Sequence, residues 1–382
     1  MTKMLTQTIS NHCIKVRWLT NKPISDKKYS LLIPQYNESK HKNFIQRLEY
    51  FNELSIKVRD FMNIILIDDG STDGSVELMK SFIITTGSDL YLACTSPNSN
   101  KVGALYLVSL EVESPYIILS DFDTDIKGLE KLEHYVSKCD DDPSLLGGYF
   151  RMLPFEGKGW IFRFQQLEYA LARALYIFFE KERSVPVMPG AGSLYKRDVL
   201  IEIFKMHSGL RNGEDRESCV IGRRLGYGTI YMKEIFALTR PPLNFIALIK
   251  QRRRWNLGYW ETIQKEKKFY YSQLTIFTRI GLSTFLDTLT MPIYILAPLF
   301  VCLFLFLNIK IAITVLLAQY LFAVLKNFLL VTNSANEYSW ENERYLSTFL
   351  CYPAIKGTLE FCAWGKVILY LIKNKSKDRA KL

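Results

Sequence analysis

Several common patterns are missing from this chain of 382 residues. Its seven cysteines form no close-spaced pair and its four histidines are scattered, so the sequence indicates neither a disulfide framework nor a zinc site. No Gly-x-Gly-x-x-Gly segment is present, which disfavours a dinucleotide-dependent oxidoreductase. Residues 1–18 contain no long apolar core and no small-residue cleavage site, so no signal peptide is predicted. These absences favour reduced thiols and a chain that stays on the cytosolic side.

Charged residues are missing from a long stretch of the C-terminal part. None occurs from Thr288 to Ile309, and at about 1.5 Å per residue this run could cross a hydrocarbon core of about 30 Å. A buried helix of a soluble protein is the alternative for such a run. A second apolar run, Ile311 to Leu325, can span if Phe328 to Val331 extend it and Lys326 reaches the interface. The sequence therefore predicts two membrane spans.

The net charge of the chain is +11, which is compatible with nucleic acid, anionic lipid or a phosphorylated substrate as partner. The positive residues are spread along the chain, apart from the cluster Arg252-Arg253-Arg254. Because the chain also contains apolar runs that could span a bilayer, we expect lipid headgroups and a diphosphate as partners, and no nucleic acid.

Short β-like runs alternate with helical patterns through the first half of the chain. The β-like runs are Tyr29 to Ile33, Asn63 to Ile67, Leu90 to Thr95 and Tyr116 to Ser120, and the helical patterns between them are Lys42 to Leu54, Gly74 to Ile83, Val102 to Leu110 and Gly128 to Ser137. This alternation predicts an α/β fold, with a mostly parallel sheet and helices on both faces. Ligands of such sheets bind at the carboxyl ends of the strands.

Acidic turns follow two of these predicted strands. Asp121 and Asp123 come directly after a buried run and could share Mg²⁺ or Mn²⁺, which prefer oxygen ligands. The common alternative for such a pair is a solvated turn. The turn Asp68 to Asp73 could cap the next helix, or its carboxylates could accept hydrogen bonds from a uracil N–H or a ribose hydroxyl. Both turns should lie at the same edge of the sheet.

Two later segments are unremarkable when they are considered alone. Gly213-Glu214-Asp215 reads as a helix start, and Gln251 to Trp255 as the end of a basic amphipathic helix. The whole order of motifs, Asp68/Asp69, Asp121/Asp123, Asp215 and Gln251–Trp255 followed by apolar runs, resembles the family 2 glycosyltransferases, which have the GT-A fold. It looks most like the branch of cellulose, chitin, hyaluronan and poly-N-acetylglucosamine synthases, with its D, D, D, Q-x-x-R-W pattern. The segments Ile33–Glu38, Lys101–Leu105 and Gly190–Tyr195 are similar to further parts of that family.

The resemblance implies an inverting, metal-dependent transfer of a hexose from a UDP-sugar, with a role for each matching residue. Nucleotide contacts are implied for Pro34, Tyr36, Glu38, Asp68, Asp69, Lys101, Asp121 and Arg254. Metal ligation by Asp121 and Asp123 is implied, with Mg²⁺ or Mn²⁺ bound. Asp215 is implied to be the general base, Arg254 to support the leaving diphosphate, Gln251 to hold its helix, and Trp255, Gly190, Gly192 and Glu214 to contact the acceptor.

The acceptor is left open between two alternatives. We expect a growing polysaccharide, although one sugar could instead be added to a lipid, because the apolar region is small for a channel that threads a polymer. A catalytically inactive nucleotide-sugar-binding scaffold is the non-enzyme alternative. We expect a multi-pass protein of the plasma membrane with a cytosolic catalytic domain, and a homo-oligomer stays open. The sequence predicts four regions: an N-terminal extension (1–25), a GT-A catalytic domain (26–270), a membrane region (282–372) and a basic cytosolic tail (373–382). The catalytic domain is expected to include interfacial helices near 160–181 and 244–262. The membrane region is expected to contain spans at about 287–308 and 311–332, and an interfacial or third membrane helix at about 345–372.

Overall fold

The computed structural model describes residues 5–23, 26–307, 309–334 and 346–379. The strands are β1 (Lys15–Trp18), β2 (Tyr29–Gln35), β3 (Met62–Asp68), β4 (Tyr91–Ser96), β5 (Tyr116–Leu119), β6 (Thr124–Lys127), β7 (Leu145–Pro154), β8 (Ser193–Lys196) and β9 (Gly228–Thr239). The helices are α1 (Leu5–Asn11), α2 (Phe44–Val58), α3 (Ser75–Thr86), α4 (Asn100–Glu111), α5 (Leu132–Asp141), α6 (Trp160–Glu180), α7 (Arg197–Met206), α8 (Glu214–Arg224), α9 (Phe245–Lys265), α10 (Lys267–Thr275), α11 (Arg279–Leu307), α12 (Ile309–Ser334) and α13 (Leu346–Arg379).

The nine strands form one sheet in the order β1-β4-β3-β2-β5-β8-β7-β9-β6. Its centre is parallel, because β2 pairs in parallel with both β3 and β5, and β3 pairs in parallel with β4. Antiparallel pairs extend this centre: β1 with β4, β5 with β8, β7 with β8, and β6 with β9. The predicted parallel sheet is therefore confirmed for four strands, two of which are followed by the acidic turns, within a mixed α/β fold.

The central strands are buried on both faces. All seven residues of β3 are buried, which fits a nearly continuous apolar run between two layers of helices. Leu66 belongs to a core that includes Phe51 of α2 and Met79 of α3. Its neighbour Ile65 points to the opposite face, because side chains alternate along a strand, and it is equally buried.

The chain divides into two compact units. The first comprises Met1–Met152 and Arg183–Thr239 and contains the sheet, and the second comprises Leu153–Glu182 and Arg240–Leu382. The residues assigned to an N-terminal extension provide α1 and β1, and β1 pairs with β4 at one end of the strand order. The two segments expected as interfacial helices are α6 and α9, and both belong to the second unit.

The second unit has a core of its own. Phe164 of α6 stacks on Tyr352 of α13, with ring centroids 5.0 Å apart. Leu248 of α9 and Leu359 of α13 are fully buried in the same cluster. Apolar packing therefore joins α6, α9 and α13.

Within the described residues, one helical segment is long and apolar enough to cross a membrane. It is Ile309–Val331, with a mean hydropathy of 1.8, and it overlaps the span predicted at 311–332. The span predicted at 287–308 lies in α11, with residue 308 outside the described residues. The helix predicted at 345–372 is α13, which continues to Arg379 through most of the expected tail; residues 345 and 380–382 lie outside the described residues.

Candidate functional site

The acidic turn after β5 pairs with a lysine of α4. Asp121 lies two residues beyond the end of the strand, and Lys101, in the first turn of α4, donates a hydrogen bond from Nζ to Asp121 Oδ1. Burial by itself would lower the pKa of Lys101. The negative charges of Asp121, Glu214 and Asp215 outweigh burial, so its pKa is raised. Lys101 therefore stays positively charged among three carboxylates.

Gly190 places this pair next to the start of α8. A Cβ atom added at Gly190 would lie 3.1 Å from Lys101 Nζ and 3.9 Å from Asp215 Cβ. Any larger residue would therefore press on the ammonium group. Gly190 leads into β8, which pairs with β5, so one edge of the sheet brings together Lys101, Asp121 and Asp215. The first unit thus joins three of the predicted site residues in space.

Helix α8 begins with two carboxylates at this place. Gly213, with φ of +78°, turns the chain into the helix, and Asp215 Oδ1 accepts a hydrogen bond from the Arg216 amide at 2.8 Å. Burial raises the pKa of Asp215. Burial and the charge of Asp215 raise the pKa of Glu214 to about 7. A carboxylate with a raised pKa is suited to accept a proton near neutral pH.

Asp123 lies in the turn after β5, two residues beyond Asp121. Its side chain is exposed, and Thr124 Oγ1 donates to its Oδ1 at 3.2 Å. Crowding by protein atoms, followed by the charge of Asp121, raises its pKa to about 6. A nearby cation would stabilise both carboxylates in their ionised forms.

The carboxylates of Asp121 and Asp123 suit a divalent cation whose other coordination positions are filled by water and phosphate oxygens. Within the described part of the chain, no group of three or more His, Cys, Asp or Glu is arranged to hold a metal ion. Mg²⁺ is commonly bound by one or two carboxylates, with the other positions filled by water and phosphate oxygens. Asp121 and Asp123 fit such a site, whereas they do not form a closed cage.

Arg47 is a part of this region that the sequence analysis missed. The residue lies on α2, is buried, and forms an ion pair with Asp125. Its Nε donates to the Phe122 carbonyl at 2.7 Å, and its Nη2 donates to the Thr124 carbonyl at 2.8 Å. One guanidinium therefore holds the backbone on both sides of Asp123. The pattern of the helix around Arg47 carries no signal for this contact.

We expect Arg47→Met to destabilise the protein by about 3–5 kcal/mol, because Asp125 would be left buried without its partner. The thermal unfolding midpoint of the full chain measures this effect. Arg59→Met is the matched control, since the Arg59 side chain is 65% exposed and lies 3.9 Å from Asp60. Equal midpoints for the two variants would contradict the role of Arg47.

The carboxylates of Asp68 and Asp69, at the end of β3, accept hydrogen bonds from other residues of the protein. Asp69 Oδ1 accepts from Thr95 Oγ1 at 2.9 Å, from the Ser99 amide at 2.7 Å and from Ser99 Oγ at 2.8 Å, and its Oδ2 accepts from Asn98 Nδ2 at 2.9 Å. Asp69 therefore ties the end of β3 to the loop that leads into α4 and to Lys101. The nucleotide contact expected of Asp69 stays a prediction.

Asp68 is buried as well. Gln35 Nε2 donates to its Oδ1, and the Ser71 amide donates to its Oδ2 at 2.9 Å. Burial raises the pKa of Asp68, although the hydrogen bonds from Ser71 oppose that shift. The Gln35 contact explains why an amide side chain occupies the last position of β2. The nucleotide role of Asp68 also stays a prediction.

Three further residues expected to contact the nucleotide lie in β2 and in the loop after it. Pro34 lies within β2 and is partly buried, whereas Tyr36, one residue beyond the strand, is 43% exposed. Glu38 lies 3.2 Å from His41, and burial raises its pKa. Tyr36 is therefore the exposed aromatic ring at this carboxyl end.

Gly192 has a packing role. A Cβ atom at this position would lie 2.7 Å from Ala237 Cβ and 3.3 Å from Phe150 Cβ, which is too close for either side chain. The glycine thus allows close packing within the sheet. Its expected contact with the acceptor stays a prediction.

Gln251, Arg254 and Trp255 lie on α9 of the second unit. Their spacing of i, i+3 and i+4 places them on one face of the helix. Arg254 and Trp255 are exposed, and 49% of Trp255 is accessible. The face beside them is packed: Leu248 and Arg252 are buried. The Q-x-x-R-W order thus defines one accessible face of a helix that is anchored on its other side.

Comparisons with known proteins agree with this fold. A mannosyltransferase from Pyrobaculum calidifontis, solved with GDP-Man and Mn²⁺, superposes with a TM-score of 0.51 at 14% identity, over 92% of this chain and 90% of that one. Glucosyl-3-phosphoglycerate synthase from Mycobacterium tuberculosis matches at 14% identity over 63% of this chain and 80% of its own, with a TM-score of 0.41. The fold of this chain is therefore GT-A-like.

The family model for glycosyl transferase family 2 matches residues 30–204. This range runs from β2 through α7 and includes Lys101, Asp121 and Asp123. Residues 30–204 therefore match a glycosyltransferase family 2 domain, whereas Asp215 and Gln251–Trp255 lie outside the matched range.

Proposed function

We propose that this chain is an inverting glycosyltransferase that moves a hexose from a UDP-sugar to a growing polysaccharide at the plasma membrane. The observation that carries the proposal is the position of Lys101, whose ammonium group pairs with Asp121 and lies beside Gly190 and Asp215. A diphosphate needs positive charge and an attacking hydroxyl needs a proton acceptor. These groups meet at one edge of the sheet.

The transfer can be written with these residues. Asp215 takes the proton of the acceptor hydroxyl, whose oxygen forms a bond to the anomeric carbon as the bond from that carbon to the diphosphate oxygen breaks. Lys101 stabilises the negative charge that accumulates on the departing diphosphate. Asp121 and Asp123 would hold Mg²⁺ or Mn²⁺, which when bound neutralises the same leaving group. Attack opposite the leaving group inverts the anomeric centre.

Three residues of the second unit complete the assignment. Arg254 is proposed to pair with the diphosphate, since a guanidinium binds phosphate oxygens in a bidentate way. Trp255 offers a flat apolar surface to the acceptor sugar, and Gln251 holds the helix through hydrogen bonds. The exposure of Arg254 and Trp255 on one face of α9 supports their roles. Pro34, Tyr36, Glu38 and Asp68 are proposed for the nucleoside.

Addition of one sugar to a lipid is the second candidate. The observation that favours it is the small apolar region: within the described residues, one helical segment qualifies by length and composition as a span. A channel for a polymer needs more helices, unless several chains associate. A catalytically inactive sugar-nucleotide-binding scaffold is disfavoured, since a binder has no need of a proton acceptor such as Asp215.

Nucleotide release from a donor panel tests the proposal. The full chain in native membranes would receive UDP-glucose, UDP-N-acetylglucosamine, UDP-glucuronate or GDP-mannose, with Mg²⁺ or Mn²⁺. We expect metal-dependent release from one UDP-sugar, with the label entering a product. A ladder or long polymer indicates a polysaccharide synthase, whereas one added sugar indicates a lipid acceptor. Release from the GDP-sugar alone would refute the uridine assignment, and binding without release would favour the scaffold.

A further inference from the structure

A chain of contacts between charged and polar side chains lies within the second unit. Glu168 of α6 accepts hydrogen bonds from Arg252 of α9 through Oε2, and from Lys356 of α13 through Oε1 at 2.7 Å. Lys356 Nζ also lies 2.8 Å from Glu360 Oε1, and Glu360 Oε2 accepts from Asn256 Nδ2 at 3.0 Å. Asn256 follows Arg252 by one helical turn, so the contacts and the backbone of α9 together form a ring. We call these five residues the α6–α9–α13 ring.

The ring is partly buried and electrically balanced: Arg252 and Glu360 are buried, whereas Glu168, Asn256 and Lys356 are only partly so. It contains two cations and two anions, and the exposed fractions of Arg252 and Glu360 are 2% and 7%. Burial alone would raise the pKa of Glu168, but the charges of Arg252 and Lys356 outweigh it and lower that pKa. Buried ion pairs often add little net stability compared with well-packed apolar residues, and in some proteins they instead fix one geometry.

Arg252 connects the ring to the accessible face of α9. Its Nη1 donates to Gln251 Oε1 at 3.1 Å, and its guanidinium carbon lies 3.9 Å from the ring centroid of Trp255. At that distance the cation covers one face of the indole and holds its orientation. Arg252 occupies a position that the Q-x-x-R-W pattern leaves unspecified, yet it contacts residues at both ends of that pattern.

We propose that Arg252, held by the α6–α9–α13 ring, is a positioning residue that orients Gln251 and Trp255 for the sugar acceptor. The inference rests on the proposed function, because it assigns the acceptor to Trp255. Glu168 fixes the guanidinium from one side and Trp255 receives it on the other. The free face of the indole is thereby presented in one orientation before the acceptor arrives, which lowers the entropic cost of binding.

Kinetics with Arg252→Met test the proposal in the full chain. We expect the acceptor KM to rise about tenfold, which is the order of a desolvated cation–π contact, while the donor KM stays the same. Arg252→Lys keeps the charge but loses the planar guanidinium, so its acceptor KM should lie between those of the wild type and Arg252→Met. In the double variant with Trp255→Leu, the Arg252→Met change should raise the acceptor KM less than it does alone, because the indole that Arg252 orients is gone and only Gln251 remains as its partner. Additive effects, or an increase in the donor KM alone, would overturn the proposal.

A second measurement does not depend on activity. The emission of Trp255 is isolated by subtracting the spectrum of the matching Trp255→Phe protein. We expect Glu168→Gln and Arg252→Met each to shift this emission, because the indole loses its fixed cation. Arg240→Met is the control: Arg240 belongs to the same unit and pairs with Glu156 at 2.6 Å.

An unchanged Trp255 emission in Arg252→Met, or an equal shift in Arg240→Met, would overturn the positioning role. A wild-type protein that releases no nucleotide from any donor would instead refute the proposed function. The fluorescence result would then still decide whether Arg252 orients Trp255.

Discussion

Replacing Asp215 with Asn should lower sugar transfer by about 10²–10⁴-fold, the usual contribution of a general base. Asn has nearly the same shape and can still accept the Arg216 amide hydrogen bond, but it cannot take up a proton. Donor affinity should therefore stay close to that of the wild type. Transfer of a labelled sugar measures the rate, and calorimetry with the donor measures the affinity.

The control for this substitution lies in the same unit. Asp198, in the first turn of α7, has a side chain that is 93% exposed and lies 3.2 Å from Arg197. We expect Asp198→Asn to keep the wild-type rate. Equal transfer rates for the wild type and for Asp215→Asn would show that Asp215 is not the general base.

The pH dependence of transfer follows from the same residue. Burial raises the pKa of Asp215, and only its ionised form can accept a proton. As pH falls, the wild-type rate should therefore begin to decline at a higher pH than an ordinary aspartate would give. The residual rate of Asp215→Asn should lack this decline. A pH–rate profile measured at saturating donor checks the expectation.

Replacing Asp123 with Ala should abolish the gain in donor affinity that Mg²⁺ or Mn²⁺ provides. Loss of a direct ligand should weaken metal-dependent binding by at least about 100-fold, because changes behind the ligands already cost roughly 10–100-fold. Lys101 and Asp121 stay in place, so metal-independent donor binding should persist. Calorimetry with donor, in the presence and absence of Mn²⁺, separates the two contributions.

Asp60→Ala serves as the control, since the Asp60 side chain is 93% exposed in the first unit. We expect its metal-dependent affinity to match the wild type. If Asp123→Ala also kept that affinity, the metal assignment would be lost. Substitution of Asp121 is less clean, because it also removes the hydrogen-bond partner of Lys101.

Several parts of the site could be anticipated from neighbouring residues in the chain. Asp121 and Asp123 follow a buried strand, and parallel strands direct their carboxyl ends to one edge, so convergence followed from the alternation of elements. Arg47 could not be anticipated in the same way. Its contact with Asp125 joins residues far apart in the chain, and an arginine on a helix normally faces solvent.

On α9, too, the Q-x-x-R-W motif could be anticipated from the sequence, whereas the contacts of Arg252 could not. The spacing of Gln251, Arg254 and Trp255 predicts a shared helical face, since a helix repeats every 3.6 residues. Arg252 lies among them as one more basic residue. Only its burial and its contact with Glu168 reveal that it faces the packed side.

The sequence by itself determined what depends on local order: the alternating strands and helices, the acidic turns at strand ends, the apolar runs and the order of the family motifs. Tertiary structure decided what depends on contacts between distant segments. It brought Gly190 beside Lys101 and Asp215, added antiparallel strands to the parallel centre, and paired Arg252 with Glu168. Periodicity and turn preference act over a few residues, whereas the partner of a buried charge is set by the packing of whole elements.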